Sequence, residues 1–245
     1  MEDRIILSSR GEKTVYREGD TIVKIFSDLR PKADVLQEAL NQCRAQEAGI
    51  SVPTVKEIRR IDGKWAIVSE FIEGETIAER IAAHPEEKDE LMDRFVELQL
   101  ELHRKRAPLL TLQVPMLHHH IHDADLDAVT RYELHIQLDN MPQKRELCHG
   151  DFRPDNVIIR PDGSYCITDW PRAGQGNGAA DAALSWVMIA ISNGEELAED
   201  YLKRFCEKGD VSSESVKKWI PITAASLMHA YGKKEDNYLK SLIKK

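Results

Sequence analysis

The sequence predicts an α+β fold in two lobes, a small strand-rich N-terminal lobe and a larger, mainly helical C-terminal one. Three observations carry this expectation. Up to residue 72 the chain runs in short apolar stretches separated by glycine-containing turns, with one helical segment among them, a pattern of strands around one helix. After Glu73-Gly74-Glu75 the apolar spacing becomes helical. Near residues 157–168 a single pair of short strands interrupts the helices. The expected division is therefore residues 1–72 and 73–245.

The elements follow in order. Residues 4–7 read as a short strand and 8–13 as a polar turn. Residues 14–17 and 21–26 flank Glu18-Gly19-Asp20, a hairpin signal. Residues 34–48 carry Val35, Leu36, Ala39, Leu40, Cys43 and Ala48 at helical spacing, and Gly49 supplies a stop. Residues 52–60 and 65–71 read as strands joined by a turn containing Asp62-Gly63. Helices are expected at 76–83, 87–106 and 128–138, with residues 108–127 as a loop-like interruption. Residues 157–160 and 165–168 are short strands around Pro161-Asp162-Gly163. Residues 180–193, 195–208, 213–228 and 233–244 read as helices, with Trp186 and Trp219 facing a core.

Composition narrows the class of function. The chain has 245 residues, 42% of them hydrophobic and 31% charged, with a formal net charge of −8. That is the balance of an ordinary globular protein. It disfavours nucleic acid as a main partner, because phosphate backbones bind basic faces, and it is compatible with a cationic small molecule. The opening MEDRIILSSRGEK lacks the basic and apolar regions of a signal peptide, and no run is long enough for a membrane span. Cys43, Cys148, Cys166 and Cys206 are widely spaced without a CxxC, so free thiols and a cytoplasmic location are expected.

The segment that carries chemistry is His149-Gly150-Asp151-Phe152-Arg153-Pro154-Asp155-Asn156, followed after a two-strand turn by Thr168-Asp169-Trp170. Phosphoryl transfer needs a carboxylate to orient or deprotonate the acceptor and hard oxygen ligands for magnesium. Asp151 and Asn156 lie on one tight loop, and the hairpin that follows can return Asp169 toward them.

HGDFRPDN and ITDW resemble the catalytic loop and metal-binding segment of the aminoglycoside phosphotransferase and choline kinase superfamily, relatives of the protein kinases. The resemblance runs with motifs from Lys24 to Asp181. It implies a protein-kinase-like fold whose N-lobe is a five-stranded antiparallel sheet with one helix. It further implies that Asp151 is the catalytic base and that Asn156 and Asp169 are magnesium ligands. Gly174 and Asp181-Ala182-Ala183 are similar to the segment whose aspartate braces the catalytic loop. Lys24, in Ile22-Val23-Lys24-Ile25-Phe26, takes the place of the phosphate-binding lysine. Glu38 matches its helical partner, with Glu47 at the helix end as the competing choice. Ile67–Glu75 resembles the adenine-binding linker, so the Glu70 carbonyl and Ile72 amide are expected to meet the purine edge. ATP, with GTP as the alternative, and magnesium are the implied cofactors, and a small molecule bearing a hydroxyl is the implied acceptor.

Other features point elsewhere or nowhere. Ser8-Ser9-Arg10-Gly11 is not the GxGxxG of a nucleotide-cradling turn, though Ser8 or Ser9 could contact phosphate. His118-His119-His120-Ile121-His122 has no Cys or Glu partner at metal-ligand spacing. Asp123, Asp125 and Asp127 start like a calcium loop, but Ala128 stands where glycine is required; a solvated cluster at a helix start is expected. No APE segment or activation loop is present, which favours a small acceptor over a protein. The chain is also short for an aminoglycoside-modifying member, in which extra C-terminal helices shape the drug site. A protein- or glycan-directed kinase-like enzyme and a nucleotide-binding pseudokinase are the alternatives; all the catalytic positions are filled, which weighs against the second.

Overall fold

The computed structural model describes residues 4–10, 13–228 and 233–244. In chain order its first elements are β1 (Ile5–Arg10), β2 (Lys13–Glu18), β3 (Thr21–Phe26), α1 (Lys32–Glu47), β4 (Val55–Ile61), β5 (Lys64–Glu70), β6 (Glu75–Thr76) and α2 (Ile77–Ala83). Then come α3 (Lys88–His103), α4 (Gln113–Asp123), α5 (Ala128–Asp139), β7 (Glu146–Cys148), β8 (Val157–Ile159), β9 (Tyr165–Ile167) and β10 (Gly174–Gly176). The chain closes with α6 (Gly178–Asn193), α7 (Glu195–Gly209), α8 (Ser213–Lys217), α9 (Ile220–Leu227) and α10 (Lys233–Ile243). No helix among the described residues is long and apolar enough to cross a membrane.

By packing, the chain forms two compact units, residues 1–83 with 154–172, and residues 84–153 with 173–245. This partition differs from the expected division at residue 72. Segment 73–83 and the β8–β9 hairpin join the N-terminal sheet's unit because β6 pairs with β8, which continues into β9.

The first unit is built on a five-stranded antiparallel sheet of order β1-β2-β3-β5-β4. Its turns explain the register. Gly19 closes β2 onto β3 at φ 60°, and Asp62-Gly63 close β4 onto β5 at φ 50° and 83°, the left-handed pair that suits a tight hairpin. One sheet face packs Phe26 and Ile67 against Val35 and Ala39 of α1. The other face gathers Tyr16, Val23, Ala66 and Val68. The alternation read in the sequence is this division between faces.

In the second unit α6 is buried on nearly every side from Ala180 to Ala190, as an all-round apolar helix must be. Trp186 and Trp219 are buried as expected. Phe95 of α3 stacks on Phe152 with ring centroids 4.6 Å apart and tilts against Tyr201 of α7. β7 and β10 form a two-stranded antiparallel sheet. All four cysteines are free.

Two expectations are corrected. Residues 108–127 are not simply a loop, since they contain α4. Its apolar pair Leu117 and Ile121 is buried, but the intervening histidines obscure that spacing, and Pro115 sits in the first turn, where proline is tolerated. The helix expected over 213–228 is two helices, broken at Trp219 because Pro221 cannot continue a preceding turn. Of the three aspartates, Asp127 caps α5, accepting from the amides of Val129 and Thr130.

Gly74 has φ 142°, and a Cβ there would collide with the Ile159 carbonyl across the β6–β8 pair. Gly74→Ala is therefore expected to lower the unfolding free energy by about 2–4 kcal/mol, read as a lower urea midpoint at unchanged slope. An unchanged midpoint would mean that this backbone shifts at no cost.

Candidate active site

The residues singled out in the sequence fall into both units. Lys24, Glu38, Glu70, Ile72, Asn156 and Asp169 belong to the first, and Asp151 to the second.

In the first unit, β3 presents Lys24 on the face covered by α1. Its Nζ donates to Glu38 Oε1 at 2.6 Å and to Asp169 Oδ1 at 2.7 Å. Glu38 is the glutamate that meets this lysine, which decides between it and Glu47. The trio is shielded from water: the side chains of Lys24, Glu38 and Asp169 are 17%, 4% and 16% exposed. Burial works against the ammonium of Lys24, but Asp169 and Glu38 outweigh it and hold its pKa well above that of an ordinary lysine. Burial likewise works against the Asp169 carboxylate, and Lys24 with Lys13 outweighs it, driving its pKa far below the usual range. Both groups are therefore charged at neutral pH.

The β8–β9 hairpin brings Asp169 to this place. The carbonyl of Asn156 accepts from the Thr168 amide at 2.9 Å and from its hydroxyl at 3.2 Å. The chain then turns at Asp169 with φ 67°, a left-handed conformation that is unfavourable for a residue with a side chain. Asn41 of α1 holds the segment that follows, donating to the Trp170 carbonyl at 3.1 Å. Trp170 itself is fully buried and donates to the Ile167 carbonyl. Asn156 is buried, and Asn156 and Asp169 together offer amide and carboxylate oxygens, the hard donor set that suits magnesium.

The linker after β5 is pinned through its neighbours. The Glu70 amide donates to the Thr54 carbonyl and the Phe71 amide to the Asp20 carbonyl. Among the described residues the amide of Ile72, a buried residue, makes no backbone hydrogen bond.

In the second unit, the loop carrying Asp151 is built around a buried carboxylate. Asp181 of α6 accepts from the Gly150 amide at 2.8 Å and the His149 amide at 3.3 Å. His103 Nε2 lies 2.9 Å from Oδ2, the oxygen that the His149 amide also reaches, and Gln99 Nε2 donates there at 3.1 Å. Tyr201 in turn donates to Gln99 at 2.6 Å. Burial opposes the Asp181 charge, but the His103 hydrogen bond and the Gly150 amide keep its pKa below the ordinary value. Gly150 turns at φ 79°, and the Asp151 amide donates back to His149 Nδ1 at 3.1 Å. Asp151 thus projects from a loop held at both backbone and side chain. Its carboxylate pairs with Arg153 Nε at 2.6 Å.

Sequence reasoning missed several of these residues. Lys13 donates to Asp169 Oδ2 at 2.7 Å; its signal was the alternation that puts it two residues from Val15, the partner of Lys24. Asn41 lies one turn beyond Glu38, on the same face of α1. Gln99 and His103 stand four apart on α3, a spacing that aims both at one point. Arg153 lay inside the recognised motif with no role assigned. Of the turn expected to cradle phosphate, Gly11 lies outside the described residues. Cys148, beside this loop, is buried, and burial pushes its thiol well above the ordinary value. It is therefore no nucleophile.

The part-buried lysine that bridges a helical glutamate and a post-hairpin aspartate in the first unit, and the braced HGD loop in the second, resemble features of small-molecule kinases with a protein-kinase-like fold. The chain belongs to the phosphotransferase enzyme family, which it matches over residues 4–215. Its structure is similar to an aminoglycoside-3'-phosphotransferase of type VIII, at 20% identity and a TM-score of 0.70, covering 92% of this chain and 93% of that one. It is similar to a choline kinase from Streptococcus pneumoniae at 15% identity and a TM-score of 0.62, covering 98% and 93%. It is also similar to an aminoglycoside phosphotransferase from Streptomyces rimosus in complex with ADP and streptomycin, at 15% identity and a TM-score of 0.61, covering 89% and 91%. The sequence matches no curated protein.

Asp181→Asn keeps the shape of the brace and removes its charge. It is expected to lower the unfolding free energy at pH 7 by roughly 3–5 kcal/mol and to speed deuterium exchange at the Gly150 amide. Because the folded pKa of Asp181 is depressed, its contribution is present above the unfolded value near pH ~4 and is lost as pH falls through the folded one. The variant should therefore lose less stability than wild type on acidification; parallel acid limbs would refute the assignment.

Proposed function

We propose that the protein is an ATP- and magnesium-dependent phosphotransferase that moves the γ-phosphate to a hydroxyl of a small molecule. The observation that carries this reading is the chain Glu38–Lys24–Asp169, in which Glu38 is buried and its two partners are part-buried. Here a lysine is positioned by one carboxylate while a second, in a strained backbone conformation, stands next to it. Such a lysine suits phosphate oxygens, and such an aspartate suits the cation that accompanies them.

Each residue then has a part. Lys24 binds the α- and β-phosphates and Glu38 aims it. Asn156 and Asp169 would hold magnesium, which when bound would neutralise phosphate charge. The Glu70 carbonyl and the Ile72 amide meet the purine edge; the amide's lack of a backbone partner supports this. Backbone recognition of this kind leaves ATP and GTP both admissible. Asp151 orients the acceptor hydroxyl and takes its proton, while Asp181 positions the Asp151 loop. Catalysis is positioning and charge stabilisation, with no covalent intermediate on the protein.

The acceptor class is an aminoglycoside, amino alcohol or sugar-like alcohol. ADP and streptomycin occupy one structural relative, and another is a choline kinase. Both acceptor types carry hydroxyls on cationic molecules, which agrees with the net charge of −8. Chain length does not argue against an aminoglycoside, because the similarity covers 93% of the type VIII aminoglycoside phosphotransferase. Four free thiols agree with a cytoplasmic place of work.

The test is ADP release with magnesium across a panel of aminoglycosides, amino alcohols and sugars, with Asp151→Asn as control. Acceptor-dependent turnover is expected to fall by about 10²–10⁴-fold in the variant, while ADP affinity stays within about twofold. Undiminished turnover would remove Asp151 from the mechanism.

A further inference from the structure

We propose that Lys13 is a second phosphate-binding lysine, which shares Asp169 with the divalent cation: the cation takes the oxygen Lys13 holds, and Lys13 passes to the nucleotide phosphates. The inference rests on the kinase reading above and adds a residue and an order of events to it.

Placement comes first. Lys13 opens β2 and pairs with Phe26, and Val15 pairs with Lys24. Strand alternation therefore sets Lys13, Val15, Lys24 and Phe26 on one face of the sheet, the face where Phe26 packs against α1. Both lysines reach the same carboxylate from that face, Lys24 at Oδ1 and Lys13 at Oδ2, each at 2.7 Å.

The two contacts are not equivalent. Lys24 has a second anion in Glu38 and is 17% exposed. Lys13 has Asp169 as its one hydrogen-bond partner among the described residues and is 37% exposed. Of the two, Lys13 is the lysine that can leave at small cost.

A divalent cation at Asp169 favours the departure of one of them. An ammonium has three donors and no lone pair, so it cannot join a metal's ligand shell. It competes for the carboxylate oxygen, and its charge repels the ion. Lys13, Lys24, Glu38 and Asp169 together sum to zero, so a dication added to them leaves an excess of positive charge. A polyphosphate arriving with the ion supplies the missing anion, and a lysine's flexible stem lets its head move from one anion to the next. The sequence Ser8-Ser9-Arg10-Gly11 that precedes β2 is not glycine-rich. A mobile ammonium takes over part of the attraction that a nest of backbone amides would provide.

Isothermal titration with ADP, with and without magnesium, tests the proposal on wild type, Lys13→Met and Lys13→Arg. With magnesium, Lys13→Met should lose about tenfold in ADP affinity, and Lys13→Arg should regain most of it. Without magnesium, where Lys13 stays on Asp169, the loss should be under about twofold. Manganese alone, followed by electron paramagnetic resonance, should bind Lys13→Met several-fold more tightly than wild type, since its competitor is gone. Equal ADP losses with and without magnesium, no loss with magnesium, or unchanged manganese affinity would each overturn the exchange. Failure of wild type itself to bind ADP with magnesium would instead overturn the kinase reading beneath it.

Discussion

A carboxylate nearly closed off from water must be met by opposite charge or give up its own. Asp169 meets that constraint with two lysines, and the arrangement of the first unit follows from it. β3 has to bring Lys24 within 2.7 Å. α1 has to lie across that strand so that Glu38 can hold the lysine and Asn41 the Trp170 carbonyl. The β8–β9 hairpin has to close on Asn156 and turn sharply at φ 67°. Each of these elements also buries apolar surface, Phe26 on β3, Val35 and Ala39 on α1 and Ile167 on β9 among it. The hydrophobic term holds the elements together, and the ion pairs decide which atoms face one another.

Asp181 answers the same constraint differently. No lysine or arginine approaches it among the described contacts. Two backbone amides, a glutamine and His103 fill its lone pairs. A charge satisfied by backbone amides fixes the path of the chain, which suits the role proposed for the Asp151 loop. A charge satisfied in part by an ammonium on a flexible stem can exchange partners, which suits the metal-ligand role proposed for Asp169. Each buried aspartate is thus matched to the job its neighbours leave it.

Two further groups sit between structure and chemistry. Arg153 keeps the Asp151 carboxylate paired at 2.6 Å, and Lys13 does the same for Asp169. Neither cation has a role in the motifs, although Arg153 stands within one of them. Both are more exposed than the carboxylates they cover, so neither is locked in the interior.

The sequence by itself determined the fold class, most element positions and the residues of the proposed site, because these depend on local rules. Strand alternation, the Gly19 and Asp62-Gly63 turns and the helical spacing act over a few residues, and the HGDFRPDN and ITDW motifs are contiguous. It read less well where signals overlap, as in α4, whose apolar pair lies within a histidine run, and at Pro221, which splits an otherwise continuous helix. Only the tertiary structure decided which distant residues share an atom. Lys13 and Lys24 divide the oxygens of a residue 156 and 145 positions away. Glu38 rather than Glu47 meets Lys24, and Gln99 and His103 converge on Asp181. These are contacts between elements brought together by packing, and no local periodicity encodes a partner that far along the chain.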